Sequence, residues 1–130
     1  MRVRAISWVG VKTDSYQSMR DFFAGVAGLP LDYERPDFAV FRLPSGDKIE
    51  VFGPESSDPP EQFAVEKVVA SLLVENIDEA IATLHRADVE LIGPKEGGGA
   101  YFWQHFRLPD GKIFELVQDD GYRTVGSAAV

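Results

Sequence analysis

The pattern of apolar and polar residues predicts the same order of secondary-structure elements twice along this chain. Residues 6–11 and 68–74 each read as a β-strand, and the second is more continuously apolar. Helix N-cap residues follow each strand, Thr13-Asp14-Ser15 in the first case and Asn76 in the second. Apolar residues at helical spacing then predict two amphipathic helices with these buried residues: Met19, Phe22, Phe23 and Val26 in the first, and Ile77, Ala80, Ile81 and Leu84 in the second.

Three short strands are predicted after each helix. Gly28-Leu29-Pro30 ends the first helix. The predicted strands span 31–35, 38–43 and 48–52 in the first half, and 89–92, 101–108 and 112–117 in the second. Turns at 44–46 and 109–111 join the last two strands of each half. Each half therefore has the order β-α-β-β-β.

The two halves also share sequence. Phe41-Arg42-Leu43-Pro44-Ser45-Gly46 and Phe106-Arg107-Leu108-Pro109-Asp110-Gly111 match at five of six positions with an offset of 65 residues, and the same offset places Glu50 on Glu115. We interpret this as an internal duplication within one domain of residues 1–130. Module 1 is predicted at 3–53 and module 2 at 66–118, with a proline-containing linker at 54–65 and a loose tail at 119–130.

Composition narrows the classes of function. The chain has 130 residues, no cysteine and a formal net charge of −8. The missing cysteines exclude disulfides, zinc–thiolate sites and a cysteine nucleophile, and the acidic charge argues against nucleic acid and against an anionic membrane surface. No apolar stretch approaches the length of a membrane-spanning helix, and the N-terminal residues lack the apolar run of a signal peptide. We therefore expect a cytoplasmic protein that binds neither nucleic acid nor membranes.

The second hairpin carries a family resemblance. The segment Phe106-Arg107-Leu108-Pro109-Asp110-Gly111-Lys112-Ile113-Phe114-Glu115-Leu116, within paired β-α-β-β-β modules, resembles the vicinal oxygen chelate superfamily, which includes glyoxalase I, bleomycin-resistance proteins, fosfomycin-resistance enzymes and extradiol dioxygenases. The resemblance implies an α+β fold in which two tandem modules form curled mixed sheets around a cup, with the helices on the outer face. It also implies a homodimer or a pseudo-symmetric pair.

The same resemblance implies positions for metal ligands on the first and last strand of each module. The last-strand positions are Glu50 and Glu115, both carboxylates suited to a divalent ion. On the first strands, Trp8 stands where the family has histidine, and its counterpart is Ala70 or Ser71. Residues 5–12 and 68–74 contain no His, Gln, Asp or Glu. We therefore expect no cofactor, and name a divalent metal (Ni, Zn, Fe or Mn) at Glu50 and Glu115 as the alternative.

Strand alternation sorts the hairpin residues between two faces. The helix-facing set is predicted to be Phe41, Leu43, Ile49 and Val51 in module 1, and Phe106, Leu108, Phe114 and Leu116 in module 2. The opposite, cup-lining face carries aromatic and charged residues, which we predict to bind the ligand: Trp8, Phe38, Arg42, Glu50, Tyr101, Trp103 and Arg107. Arg42 and Arg107 could recognise an anion through their guanidinium groups, or they could pair with glutamates across the sheet, which is the preferred interpretation.

His105 and Glu115 are the candidate catalytic residues. The turn at 109–111 places them opposite each other on one face, where they could form a general base with its orienting carboxylate, two ligands of a displaced metal site, or a polar pair of structural value only. His85, on the second helix, is predicted to be a surface residue. The glycines at 97–99 lack the strand-before, helix-after context of a phosphate loop and predict a flap or, with preference, a glycine hairpin.

Three functions remain open from the sequence. The first is a glyoxalase/bleomycin-resistance-like protein that binds a small, cationic or aromatic molecule in the cup without the usual metal. The second is a divalent-metal-dependent lyase, isomerase or dioxygenase that uses Glu50, His105 and Glu115. The third is a structural or regulatory dimer with a vestigial cup.

Overall fold

A computed structural model of the chain describes residues 1–56 and 67–122. Most of the predicted linker and residues 123–130 of the predicted tail lie outside this part of the chain. In chain order the elements are β1 (Val3–Lys12), α1 (Tyr16–Asp21), a π-helical turn (Phe22–Val26), β2 (Leu31–Arg35), β3 (Phe38–Arg42), β4 (Lys48–Phe52), β5 (Val68–Val74), α2 (Ile77–Arg86), β6 (Leu91–Gly98), β7 (Tyr101–Arg107) and β8 (Ile113–Asp119). Within the described residues, no helix has the length and apolar character needed to cross a membrane.

The chain divides into two compact units. The N-terminal unit is formed by the described residues of 8–69, and the C-terminal unit by residues 1–7 and 70–122. In the N-terminal unit the strand order is β2-β3-β4-β1, and β1 is parallel to β4 while the other pairs are antiparallel. In the C-terminal unit the order is β6-β7-β8-β5, and β5 is parallel to β8. The predicted α+β fold of two β-α-β-β-β modules with mixed sheets is confirmed.

In the N-terminal unit, the helical segment covers one face of the sheet. Phe41 and Val51 are fully buried there and pack against Met19 and Phe23, as the apolar spacing predicted. The prediction that Phe22 and Val26 are buried is wrong, because these side chains are 50% and 77% exposed.

The cause of this error lies in the backbone of the helical segment. The α-helix ends at Asp21, and the next turn is a π-helical one, closed by a hydrogen bond from the N–H of Ala27 to the carbonyl oxygen of Phe22. The wider turn changes the angular phase of the residues within it. Gly28, with a φ of 70°, ends the segment as predicted.

The C-terminal unit repeats this packing with a regular helix. The side chain of Asn76 caps α2 by accepting a hydrogen bond from the N–H of Glu79 at 3.0 Å. One face of the helix then buries Ile77, Ala80 and Leu84 against the sheet residues Phe106 and Leu116, while Leu108 and Phe114 pack partly buried beside them. The predicted helix face and the predicted helix-facing side of this sheet are both confirmed.

Strand β6 is longer than the sequence predicted. It was expected to end at residue 92, but it continues to Gly98 and shifts register between Ile92 and Glu96. Gly97 pairs with Phe102 and has a φ of 102°, and a Cβ at this position would overlap the carbonyl oxygen of Tyr101. The glycines therefore form the end of a β-hairpin, which was the preferred interpretation of the sequence.

Candidate functional site

The face of the N-terminal sheet opposite its helix carries a buried apolar cluster. Trp8, Phe38, Val40, Phe52 and Val69 form one cluster in which Trp8 is 9% and Phe38 7% exposed. The alternation argument therefore placed Trp8 and Phe38 on the correct face. In this unit they serve as core residues, and their role as ligand-binding residues stays a prediction.

The two duplicated arginines occupy equivalent places at the ends of their hairpins. Arg42 donates a hydrogen bond to the carbonyl oxygen of Gly46 at 3.2 Å, and Arg107 donates one to that of Gly111 at 2.8 Å. Each also pairs with an acidic residue: Asp32 lies 3.2 Å from Arg42.

The acidic partner of Arg107 is Glu90, at 3.5 Å. Both guanidinium groups are thus engaged by the edge of their own sheet, in line with the structural interpretation of these residues. The partners are Asp32 and Glu90, and not the glutamates Glu50 and Glu115 of the duplicated strands. Ligand binding by either arginine stays a prediction.

We call the face of each sheet that lies opposite its helix the open face. Three polar side chains lie in a row across the open face of the C-terminal sheet. The strand register pairs Ser71 of β5 with Glu115 of β8, and Glu115 with His105 of β7. The Ser71 hydroxyl donates a hydrogen bond to Oε1 of Glu115, and Nε2 of His105 lies 3.0 Å from Oε2 of the same carboxylate. We call this row, Ser71–Glu115–His105, the polar row.

The polar row is largely shielded from solvent. Ser71 is 0%, Glu115 7% and His105 9% exposed. A carboxylate in such surroundings requires polar partners, because an unpaired buried charge is costly. Here one oxygen is held by a hydroxyl and the other faces an imidazole. The carboxylate can therefore orient the imidazole, which is the arrangement that supports general acid–base chemistry.

Two aromatic side chains continue this face beyond His105. Tyr101 and Trp103 alternate with His105 along β7, so all three project to the same side of the sheet. Their ring centroids are 5.7 Å apart, and both side chains are partly exposed, unlike Trp8 and Phe38. The open face of the C-terminal unit thus combines a partly accessible aromatic pair with a buried polar row.

Ser71 is the residue of the polar row that the sequence prediction missed as a partner. Trp8 was aligned with Ala70 or Ser71, but the register pairs Glu50 with Gly10 and Glu115 with Ser71. The counterpart of Ser71 is therefore Gly10, two residues after Trp8 on the same face. The partnership depends on the register of the parallel strands β5 and β8, which the sequence pattern does not specify.

The remaining predicted residues are distributed as follows. Glu50 is half-buried and has Gly10 and Val40 as its register neighbours. His85 is exposed on α2, as predicted. Within residues 1–56 and 67–122, no three His, Cys, Asp or Glu residues are placed to share a metal ion. The donors present therefore do not match the four-ligand centre that the family resemblance implies.

Two shallow clefts of the C-terminal unit lie away from the polar row. One, of about 310 Å³, is lined by residues 87–90 and 107–109 and so includes Arg107. The other, of about 370 Å³, includes Arg4, Glu75 and Tyr122, and the guanidinium carbon of Arg4 lies 5.9 Å from the centroid of the Tyr122 ring. Neither contains the aromatic pair or the polar row, so these clefts do not enlarge the candidate site.

Solved structures of other proteins share this fold. A glyoxalase/bleomycin resistance protein/dioxygenase superfamily member from Vibrio splendidus 12B01 is 21% identical, with a TM-score of 0.65, and the match covers 91% of this chain and all of that one. Methylmalonyl-CoA epimerase from Mycobacterium tuberculosis is 17% identical with a TM-score of 0.69, covering 90% of this chain and 89% of that one. A variant of the Streptomyces coelicolor methylmalonyl-CoA epimerase, in complex with 2-nitronate-propionyl-CoA, is 13% identical with a TM-score of 0.69, covering 94% and 99%.

The chain therefore has the vicinal oxygen chelate fold, and the resemblance stated from the sequence is confirmed at that level. No family model matches the chain, and no curated protein matches it in sequence. Identities of this size establish a shared fold and not a shared activity. The function has to be argued from the side chains of this chain.

Proposed function

We propose that this protein binds a small planar molecule on the open face of its C-terminal unit, without the metal centre of the metal-dependent superfamily members. The observation that carries the proposal is the engagement of Glu115 by Ser71 and His105. A metal ion would have to displace one of these partners and would find no ligand-type residue on the first strand. The carboxylate is better suited to organise this face than to coordinate an ion.

The aromatic pair supports a planar ligand. Tyr101 and Trp103 present partly exposed rings beside His105, and aromatic side chains that keep exposed ring surface in a folded protein favour stacking with a flat ligand. Polar groups that fix orientation are usually few in such sites. Here the imidazole of His105 would supply that group.

The charge of the face supports a cationic or neutral ligand over an anionic one. When His105 is neutral, the polar row carries the single negative charge of Glu115. That charge is shielded from solvent, so its field is screened less than that of a surface carboxylate. The chain as a whole has a formal net charge of −8 and adds to this preference.

The proposal extends to the residues named from the sequence in the N-terminal unit. Trp8, Phe38, Arg42 and Glu50, with Arg107 of the C-terminal unit, remain candidate ligand-binding residues. We further propose that the protein acts as a homodimer in the cytoplasm. Light scattering coupled to size-exclusion chromatography would then give twice the chain mass of 14.4 kDa, whereas a mass of one chain would contradict the dimer.

A three-probe titration tests the proposed function. Benzamidinium, benzamide and benzoate have nearly the same planar shape and differ in charge. We expect chelator-treated protein to bind benzamidinium best and benzoate worst, measured by calorimetry and by tryptophan emission. Equal weak responses to all three would contradict the proposed ligand class, and a flat titration with each would favour a structural or regulatory dimer.

Metal analysis tests the competing enzyme. A metal-dependent lyase, isomerase or dioxygenase that uses Glu50, His105 and Glu115 would be purified with stoichiometric nickel, zinc, iron or manganese. That metal would be lost in Glu115→Ala and kept in Glu90→Ala, a surface control. Such a result would overturn the metal-free proposal, and we expect substoichiometric metal in all three proteins.

A further inference from the structure

We propose that Nδ1 of His105 is a general base that accepts a proton from a planar carbon acid bound against Trp103. Ser71 acts as a positioning residue through Glu115. This inference rests on the proposed function, since the molecule that gives up the proton must first bind to the open face of the C-terminal unit.

The first step of the argument is the orientation of the imidazole. Nε2 of His105 lies 3.0 Å from Oε2 of Glu115. A carboxylate at this distance favours the neutral tautomer in which Nε2 carries the proton, because the alternative would place two lone pairs against each other. The lone pair of the ring then resides on Nδ1, the nitrogen that faces away from Glu115.

The second step is access to Nδ1. Among the described residues, no side chain or backbone group forms a hydrogen bond or ion pair with Nδ1. In the same part of the chain, every fully buried side-chain nitrogen or oxygen has a hydrogen-bond partner. Nδ1 is therefore not fully buried, although His105 as a whole is only 9% exposed. An accessible lone pair on a largely buried imidazole is a suitable proton acceptor.

The third step is the role of Ser71. Its hydroxyl donates to Oε1 of Glu115, the oxygen that does not face His105. This bond fixes the rotation of the carboxylate, so that Oε2 stays directed at Nε2. Ser71 is fully buried and lies directly beside Glu115 in the strand register, so the sheet itself holds its hydroxyl next to this carboxylate. Ser71 thus acts on the base through Glu115 and touches no ligand.

A test reaction follows from these groups, with 5-nitrobenzisoxazole as the planar probe. Nδ1 takes the proton from the ring carbon, and the electrons of that C–H bond form the additional carbon–nitrogen bond of a nitrile. The nitrogen–oxygen bond breaks, and the oxygen leaves as a phenolate. The imidazolium then returns its proton to water. The reaction needs no oxidant, reductant or metal, and the phenolate is coloured.

The tautomer can be measured without any ligand or variant. The chain has two histidines, and His85 is exposed and serves as the internal reference. Two-bond ¹H–¹⁵N correlation spectra of ¹⁵N-labelled protein should show the proton of neutral His105 on Nε2. In Glu115→Gln the spectrum should change at His105 and stay the same at His85. A proton on Nδ1 of His105 in the unaltered protein would overturn the proposal.

Turnover of the probe tests the base itself. We expect His105→Gln to lower the rate about 100-fold or to the buffer level, while His85→Gln keeps it. Ser71→Ala should lower the rate about tenfold, as the loss of one hydrogen bond to a charged group predicts. Ser71→Thr retains a hydroxyl and should restore most of the rate. The same rate in His105→Gln and in unaltered protein would contradict the proposal.

The emission of Trp103 separates this inference from the proposed function. In Trp8→Phe, whose one tryptophan is Trp103, quenching by the probe together with turnover supports both. Quenching without turnover contradicts the general base and leaves ligand binding in place. Neither quenching nor turnover counts against both.

Discussion

The two units share the arrangement of their strands, helix and hairpin contacts, and they differ on the open faces of their sheets. The arginines show this shared arrangement. Arg42 donates a hydrogen bond to the carbonyl oxygen of Gly46, and Arg107 donates the equivalent one to Gly111. Each also pairs with a carboxylate near the neighbouring edge strand. These interactions are the same in both units, so they belong to the shared architecture.

The open faces can be compared at three equivalent positions, and they differ at two of them. The N-terminal unit has Gly10, Glu50 and Val40 in register. The C-terminal unit has the polar row, Ser71–Glu115–His105, at the same three places. Only the middle residue of each trio is the same. We therefore look for chemistry at positions where the two modules have different residues, because the residues that both modules share are explained by their common fold.

Removing the shared glutamate from each half should give the largest difference between them. Glu115→Ala leaves the Ser71 hydroxyl and His105 without their partner in a shielded site. We expect a loss of about 3 kcal/mol in the free energy of unfolding. Glu50→Ala, the matched control, removes a carboxylate that is only half-buried and therefore more hydrated than Glu115, and it should cost less, about 1 kcal/mol. Urea denaturation at pH 7 measures both, and equal losses would contradict the comparison.

A double-mutant cycle sharpens the same point within the polar row. Ser71→Ala should cost about 1–2 kcal/mol, because it leaves one carboxylate oxygen shielded and without a donor. Combined with Glu115→Gln, the two losses should be less than additive by about 1 kcal/mol. Additive losses would show that the hydroxyl and the carboxylate do not interact, and would remove Ser71 from the row.

The arginines should show no difference between the halves. Arg42→Met and Arg107→Met each remove one partly exposed ion pair and one hydrogen bond to a turn carbonyl. We expect each to lower the free energy of unfolding by about 0.5–1 kcal/mol, with both values inside experimental error of each other. A loss several times larger for Arg107 would mean that this residue does more than close its hairpin.

High pH should affect the N-terminal unit through Tyr16. Burial, and after it the hydrogen bond to Glu34, raises the pKa of Tyr16 from 10 to about 12. The folded state thus favours the neutral phenol. The stability from this preference is present below pH 10 and is lost as the pH rises from about 10 to about 12. Absorbance at 295 nm and urea midpoints at pH 9 and pH 11 should show a small drop that Tyr16→Phe reduces, while Tyr33→Phe is the control.

The order of strands and helices was predicted well because it depends on local sequence patterns. Within the described residues, alternation and helical spacing predicted each of the strands and both helices, although the bounds of β6 differ, and the repeated turn indicated the fold. The burial of Phe22 and Val26 could not be predicted this way, since the spacing argument assumes a regular helix and the chain forms a π-helical turn there. Strand β6 extends through Gly97 and Gly98 because these glycines pair with β7, although glycine normally weakens a strand.

The candidate site was predicted in part. The pairing of His105 with Glu115 follows from the length of one hairpin, which a sequence fixes by the position of its turn. The partnership of Ser71 with Glu115 depends on the register of two parallel strands that are 44 residues apart, and no turn sets that register. The partners of the arginines, Asp32 and Glu90, were missed for a related reason, because they precede the hairpins and lie beside them only in the folded sheet.

The most direct test of the central claim, that a planar ligand binds on the C-terminal unit without metal, is a fluorescence titration of two single-tryptophan variants. Trp8→Phe leaves Trp103 as the reporter, and Trp103→Phe leaves the well-buried Trp8. With chelator-treated protein and benzamidinium, we predict quenching that persists in Trp8→Phe and disappears in Trp103→Phe. Quenching that survives only in Trp103→Phe, or that requires an added divalent metal, would contradict the account.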